Sequence, residues 1–355
     1  MTADHRHPAA ARRILRLALG AGLCAFVSEL IAFPLSFVAP LFTIMLLGLP
    51  LPAPSVKQGI VFIVALITPL VLGLGLLPPL EHTRWAGILL LALALFFTFF
   101  FTARGGSPIL GTFMTVGLTL VTTIGSVAPA VLTHLIPGLA ACAAVGMLFV
   151  WVGHAILPEL PPDPALAGMK RPTPPKPDPV EARRSAMRSL AIVLPMALLF
   201  LFSSASTSYT AVMIKVSSMG QQATADKSRA MGRSLLASTF WGGLAAIICW
   251  HVLAIWPTLF MYSLLISLAC LVFGLFIFAG PAFHPQASMV SYALVTLIII
   301  LGPSVLDGPT SAGAGVAFWK RLFLFVLIAV YGTVSVAVFD AFWRKRSGGL
   351  APTRG

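Results

Sequence analysis

Eight stretches of this chain are each apolar for long enough to cross a lipid bilayer as one helix. They are residues 57–77, 84–103, 107–125, 131–156, 233–255, 257–280, 285–302 and 318–343. At 1.5 Å of rise per residue, about 20 such residues cover a hydrocarbon core ~30 Å thick. Backbone N–H and C=O groups inside hydrocarbon must be satisfied within the segment, which selects helices or closed barrels. The stretches are broken by Gly, Pro and single charges, without the alternation over roughly 10 residues that a barrel strand needs. Two further stretches, 14–48 and 189–219, are too long for one pass and short for two. Only 9% of the residues are charged and mean hydropathy is +0.98, against about 25% charged in a soluble domain. Such a chain could not cover its apolar surface in water, so the lipid bilayer is its solvent.

The net charge of +13 does not describe a nucleic-acid-binding face, because Lys and Arg sit at the ends of apolar stretches. That is the pattern of cytoplasmic membrane loops. The basic segment before residue 17 looks like the start of a signal peptide. The apolar run after it continues too far and lacks an A-x-A-like site, so no cleavage is expected.

Charge also sets the number of passes. Arg12, Arg13 and Arg16 precede the first stretch; Lys170, Arg171, Lys176, Arg183, Arg184 and Arg188 fill or flank the middle; Arg344, Lys345 and Arg346 follow the last. If all three clusters stay on one side, each half crosses an even number of times. Four clear spans plus a tight, short helical pair then give six per half. On this topology 19 of the 23 Lys and Arg fall inside, three outside (Arg84, Lys320, Arg321) and one, Lys215, within the membrane.

The halves are related. Residues 91–125 and 268–302 align without a gap, matching Pro108 with Pro285, Thr119 with Thr296 and Gly125 with Gly302. The final helices match as Gly146-x-x-x-Val150-x-Val152-x-His154-Ala155 and Gly332-x-x-x-Val336-x-Val338-x-Asp340-Ala341. The fold expected is therefore an all-α polytopic membrane protein of about 12 transmembrane helices, arranged as two parallel six-helix repeats about a pseudo-twofold along the membrane normal. The segments are a tail at 1–13, a first repeat at 14–156, a Pro-rich linker at 157–186, a second repeat at 187–343 and a basic tail at 344–355. The linker reads as an extended tether.

No enzyme motif of the HExxH, GxSxG or Walker type is present, and no metal or cofactor is expected. Cys24, Cys142, Cys249 and Cys270 are isolated in apolar runs and read as buried free thiols. Lys215 is the sharpest feature. An ammonium at midmembrane is costly unless it faces a partner or a wet cavity, and the other solution is to snorkel to the headgroups. The run Ser203-Ser204-Ala205-Ser206-Thr207-Ser208 precedes it, and the matching place in the first half is Pro34-Leu35-Ser36-Phe37-Val38-Ala39-Pro40. Interrupted segments at equivalent places of two repeats point to a transport site. Lys215, Ser206, Ser208, Tyr209, Pro34 and Ser36 are therefore candidate substrate-binding residues. Proton coupling needs a carboxyl or imidazole away from bulk water. Glu29 is the leading candidate, its alternative being a helix end at the headgroups. His154 and Asp340 occupy matching positions, where they either exchange a proton or cap helices at the interface.

Two six-helix halves, each with a basic start and a broken helix pair, and with a third helix opening on Lys57-Gln58-Gly59 or Arg229-Ala230-Met231-Gly232, resemble the fusaric acid resistance (FUSC) and aromatic-acid exporter families. With only a short linker where such exporters carry a sizeable cytoplasmic domain, the chain looks like a compact branch. The resemblance implies a bacterial inner-membrane efflux component with both termini cytoplasmic, driven by proton motive force. It implies aromatic or amphipathic anionic substrates, with a periplasmic membrane-fusion (HlyD-type) adaptor and an outer-membrane channel as candidate partners; a homo-oligomer is a further candidate that the resemblance does not specify. The alternatives from other classes are a membrane-embedded lipid- or prenyl-modifying transferase and a non-transporting scaffold of an envelope complex.

Overall fold

A computed structural model describes residues 7–32, 35–49, 51–159, 178–202, 213–217, 220–221, 228–278, 285–306 and 314–347. Described residues form twelve helices in chain order and no strand: α1 (His7–Ile31), α2 (Val38–Leu47), α3 (Val56–Gly75), α4 (Leu77–His82), α5 (Arg84–Ala103), α6 (Pro108–Gly125), α7 (Pro129–Ile156), α8 (Pro179–Leu201), α9 (Ser228–Ile255), α10 (Leu259–Phe278), α11 (Pro285–Leu306) and α12 (Ala314–Ser347). Ten spans among the described residues are long and apolar enough to cross a membrane. The protein is an all-α polytopic membrane protein.

The sequence predicts a short helix pair over 14–48. Instead α1 is a 25-residue helix and α2 has only 10 residues, about 15 Å or half the hydrocarbon core. The α1 segment extends because its polar first turns continue the helix beyond the apolar stretch. Contacts at the far ends show how the chain returns. The Arg13 guanidinium bonds the Glu159 carboxylate through Nε at 3.0 Å, which sets the start of α1 beside the end of α7. Trp151 Nε1 on α7 donates to the Pro54 carbonyl at 2.9 Å, just ahead of α3. The starts of α1 and α3 therefore share one end of the structure, and the segment between them comes back the full depth. Helix α2 covers about half of that return, and the described residues 48–49 and 51–55 that follow it are not helical. The α8 helix reaches back into the stretch read as linker, with the Asp178 carboxylate accepting from the Val180 N–H at its N-terminus. The remainder of the Pro-rich linker lies outside the described residues.

The chain forms two compact units, and neither follows the sequence halves. The first comprises Met1–Ile67, Thr133–Lys176 and Phe240–Lys320; the second comprises Thr68–Leu132, Pro177–Thr239 and Arg321–Gly355. In the first unit α1 lies along α10 and α2, and α2 packs on α11. In the second unit α8 lies along α5 and α6. The sequence alignment pairs α5 and α6 with α10 and α11; on that pairing each unit sets the opening helix of one half against the central helices of the other.

Small residues let these helices approach. A Cβ on Gly117 of α6 would come within 2.7 Å of the Pro69 backbone on α3, and one on Gly73 within 2.9 Å of the Gly117 carbonyl oxygen. With no hydrophobic force between helices in lipid, such close backbone packing is a main source of cohesion. Cys24, Cys142, Cys249 and Cys270 are all buried free thiols.

Candidate functional site

Lys215 belongs to a helical segment, 213–217, in the second unit. It is 1% exposed, so its side chain does not reach the surface of the protein as a snorkelling lysine would. The helix facing this segment, α6, carries Thr112, Thr115, Thr119, Thr122 and Thr123, a polar stripe at helical spacing. Each of these hydroxyls donates to the carbonyl four residues earlier. That bond satisfies the hydroxyl hydrogen inside an apolar helix and leaves the oxygen free to accept.

Two of these oxygens meet the interrupted segment. Thr119 Oγ1 lies 3.0 Å from Ser217 Oγ, and Thr115 Oγ1 accepts from Gln221 Nε2 at 2.8 Å. Gly111 makes room for the Gln221 amide, because a Cβ there would sit 2.9 Å from Gln221 Oε1. That Oε1 is buried and has no hydrogen-bond partner among the described residues. A buried acceptor left unpaired costs about 1–3 kcal/mol, so the cradle has a polar valence to offer a ligand. Phe99 of α5 and Val193 of α8 close the apolar side around Gly220. Thr115, Thr119, Ser217 and Gln221 thus form a buried polar cluster with Phe99 and Val193 beside it, on the same segment that carries Lys215.

The first unit holds a different polar cluster. Glu29, near the end of α1, faces the Ser36 hydroxyl just ahead of α2, and Tyr262 of α10 lies within its electrostatic reach. Among the described residues, Glu29 Oε1 and Tyr262 Oη are buried without a hydrogen-bond partner. Ser36 is 0% and Tyr262 1% exposed. Between α1 and α2, Ala32 (φ 54°) and Leu35 (φ 61°) adopt left-handed backbone, which residues with a Cβ rarely do.

A matching model of a protein family of unknown function, DUF2955, covers residues 13–152. No curated protein and no solved structure matches the chain. The DUF2955 match includes Glu29 and Ser36 but stops ahead of Lys215.

The structure redistributes the residues singled out in sequence. Ser36 sits with Glu29 in the first unit, while Lys215 belongs to the second. Ser206, Ser208, Tyr209 and Pro34 lie outside the described residues. Asp340 is 5% exposed and ion-paired, its carboxylate 3.6 Å from Arg184 and 4.0 Å from Arg188. That places it in a charge clasp between α12 and α8. His154, in the first unit, engages the Val150 carbonyl at 2.9 Å through Nδ1. Thr115, Thr119, Ser217, Gln221 and Tyr262 were not anticipated. The α6 threonines were detectable as a stripe of hydroxyls on an otherwise apolar helix. Tyr262 gives no such signal, since a tyrosine in an apolar helix is ordinary.

Proposed function

We propose that the protein is a secondary transporter that exports small aromatic or amphipathic anions across a bacterial inner membrane, with Lys215 receiving the anionic group. The observation that carries this reading is a fully buried lysine in a short helical segment that packs against a hydroxyl-bearing helix. A buried ammonium is costly in a bilayer. In this reading an organic anion is drawn to Lys215, while Phe99 and Val193 take its apolar body.

Transport is driven by the proton gradient. Both termini and the linker face the cytoplasm, in keeping with their Arg and Lys content. A periplasmic adaptor and an outer-membrane channel carry the substrate onward, as the resemblance to such exporters implies. No catalytic chemistry is assigned to the chain.

The test is efflux from cells carrying Lys215→Gln or Lys215→Ala at matched membrane abundance. Loss of efflux of aromatic carboxylates by at least about tenfold is expected, corresponding to ~1.4 kcal/mol or more of lost anion binding. Unchanged efflux in both variants rules out the substrate role of Lys215.

A further inference from the structure

Two side chains of the second unit, Ser217 and Gln221, bond to α6, and both do so as donors. Gln221 donates through Nε2 to Thr115 Oγ1 at 2.8 Å, and Ser217 Oγ lies 3.0 Å from Thr119 Oγ1. The Thr119 hydrogen is already engaged by the Thr115 carbonyl at 2.7 Å, so Ser217 supplies the hydrogen between them. Thr115 likewise spends its own on the Gly111 carbonyl at 2.9 Å. Toward Ser217 and Gln221, then, these threonines only accept. Ser217 and Gln221 stand four residues apart, as do Thr115 and Thr119, and the two pairs run antiparallel.

Thr123 continues the row. It lies four residues beyond Thr119, is 0% exposed, and gives its hydrogen to the Thr119 carbonyl at 2.6 Å. It has the same acceptor to offer, yet among the described residues it bonds only its own helix. The row does not continue the other way. Four residues before Thr115 is Gly111, which has no hydroxyl, and a Cβ there would overlap Thr102 Oγ1 of α5. Three equivalent acceptors thus serve two donors, with the spare one at the Thr123 end. The first unit provides the contrast. There α2 occupies the matching place in the sequence and meets α11 by shape, since a Cβ on Gly302 would lie 2.7 Å from Phe37 Cγ. A ring set against a glycine fits in one register, whereas a row of like hydroxyls does not distinguish between two.

We propose that Ser217 and Gln221 are positioning residues that hold Lys215 in two alternative registers on α6, one helical turn apart. In the register of the structure Ser217 bonds Thr119 and Gln221 bonds Thr115. In the second, Ser217 bonds Thr123 and Gln221 bonds Thr119. Two hydrogen bonds break and two of the same kind form, so neither register strands a buried donor. One-turn shifts of an element past its neighbour are a known route between two packed states. Four residues of α6 span about 6 Å. Lys215 lies two residues before Ser217 in the same helical segment and moves with it. Arg104 precedes the Pro108 end of α6 and marks it as cytoplasmic, so the movement toward Thr123 is outward, the direction of export. Gln221 Oε1 has no partner among the described residues, which leaves a single bond to exchange at that side chain. This inference rests on the transporter reading of Lys215 and adds the element that moves the anion.

Oxidative cross-linking of the full-length protein in proteoliposomes, read by peptide mass spectrometry, reports the registers whether or not a probe is transported. Ser217→Cys is expected to cross-link with Thr119→Cys and also with Thr123→Cys. Paired with Thr115→Cys it is expected to give nothing above the single variants, which control for the four native thiols. Cross-linking at position 119 alone, or as much at 115 as at 123, overturns the shift. Thr123→Val gives a second reading, which decides if the cysteine pairs do not fold. Because Thr123 bonds only its own helix in the register of the structure, this variant is expected to melt with the wild type. Its export of benzoate, salicylate and cinnamate is expected to fall about fivefold, the worth of one hydrogen bond, and Thr123→Ser is expected to keep it. Export at the wild-type rate in Thr123→Val, or an equal loss in Thr123→Ser, overturns the second register. A wild type that moves no probe overturns the transporter reading, and the cross-links then decide the two registers on their own.

Discussion

A charged side chain inside lipid needs a reason, and the buried charged and titratable residues of this chain find different ones. Asp340 and Arg188, both under a tenth exposed, neutralise each other between α12 and α8. Removing one member of a buried pair leaves the other uncompensated, at a cost of about 3–5 kcal/mol. Asp340→Asn is therefore expected to lower the thermal stability of the purified protein sharply, and a melting curve matching the wild type would show that the clasp carries little. Glu29 and Lys215 were visible in the sequence for a simple reason: each is a lone charge in an apolar run, and hydrocarbon makes that unusual. Their surroundings were not visible. Ser36 read as the counterpart of the Lys215 region because the repeats align there, yet folding sets it against Glu29. Gln221 and Ser217 gained meaning only once the segment carrying them was seen to lie on the threonines of α6.

At the scale of helices, hydropathy and length fix where most of them run. Pro108 and Pro285 open α6 and α11 as the repeat predicts, in the first turn where a missing N–H costs nothing. The shortness of α2 was not legible, because apolar content cannot tell a ten-residue helix from one that crosses fully. Close packing is equally hidden from hydropathy and is testable at a single glycine. On Gly242 of α9, a Cβ would overlap the Ala293 carbonyl oxygen of α11 and lie 2.8 Å from Thr296 Cβ. Backbone cannot rotate away as a side chain can. Gly242→Leu is expected to destabilise by about 1–3 kcal/mol or abolish assembly, read as a lower melting temperature or loss of monodisperse protein. Gly75→Ala, where a Cβ meets nothing within 4 Å, is expected to leave both unchanged.

For the whole molecule, the sequence suggests two related halves but not how their helices are shared between the compact units. The alignment of 91–125 with 268–302 says that two halves are alike, and says nothing of which half each opening helix joins. The structure sets α1 on α10 and α8 on α5, so each compact unit needs both halves. Cutting the chain between Lys170 and Arg171 and co-expressing the pieces is expected to yield a co-purifying, heat-resistant complex. Either piece alone is expected to aggregate, and an isolated half that is stable and monodisperse would contradict the exchange. Two salt-bridge clasps bear on topology as well. Arg13 with Glu159 holds the start of the first half beside its end, and Arg184 with Asp340 does the same for the second. Cysteine labelling is therefore expected to find both termini and the linker on one side of the membrane.

Anion selection by a buried lysine is the functional claim from which the rest of the transport cycle follows. Counterflow in proteoliposomes, comparing radiolabelled benzoate, salicylate and cinnamate with their neutral amides, measures it directly. Exchange of the carboxylates in preference to the amides by the wild type, with that preference gone in Lys215→Gln, is the expected result. Equal exchange of both classes by the wild type, or an undiminished preference in Lys215→Gln, would contradict it.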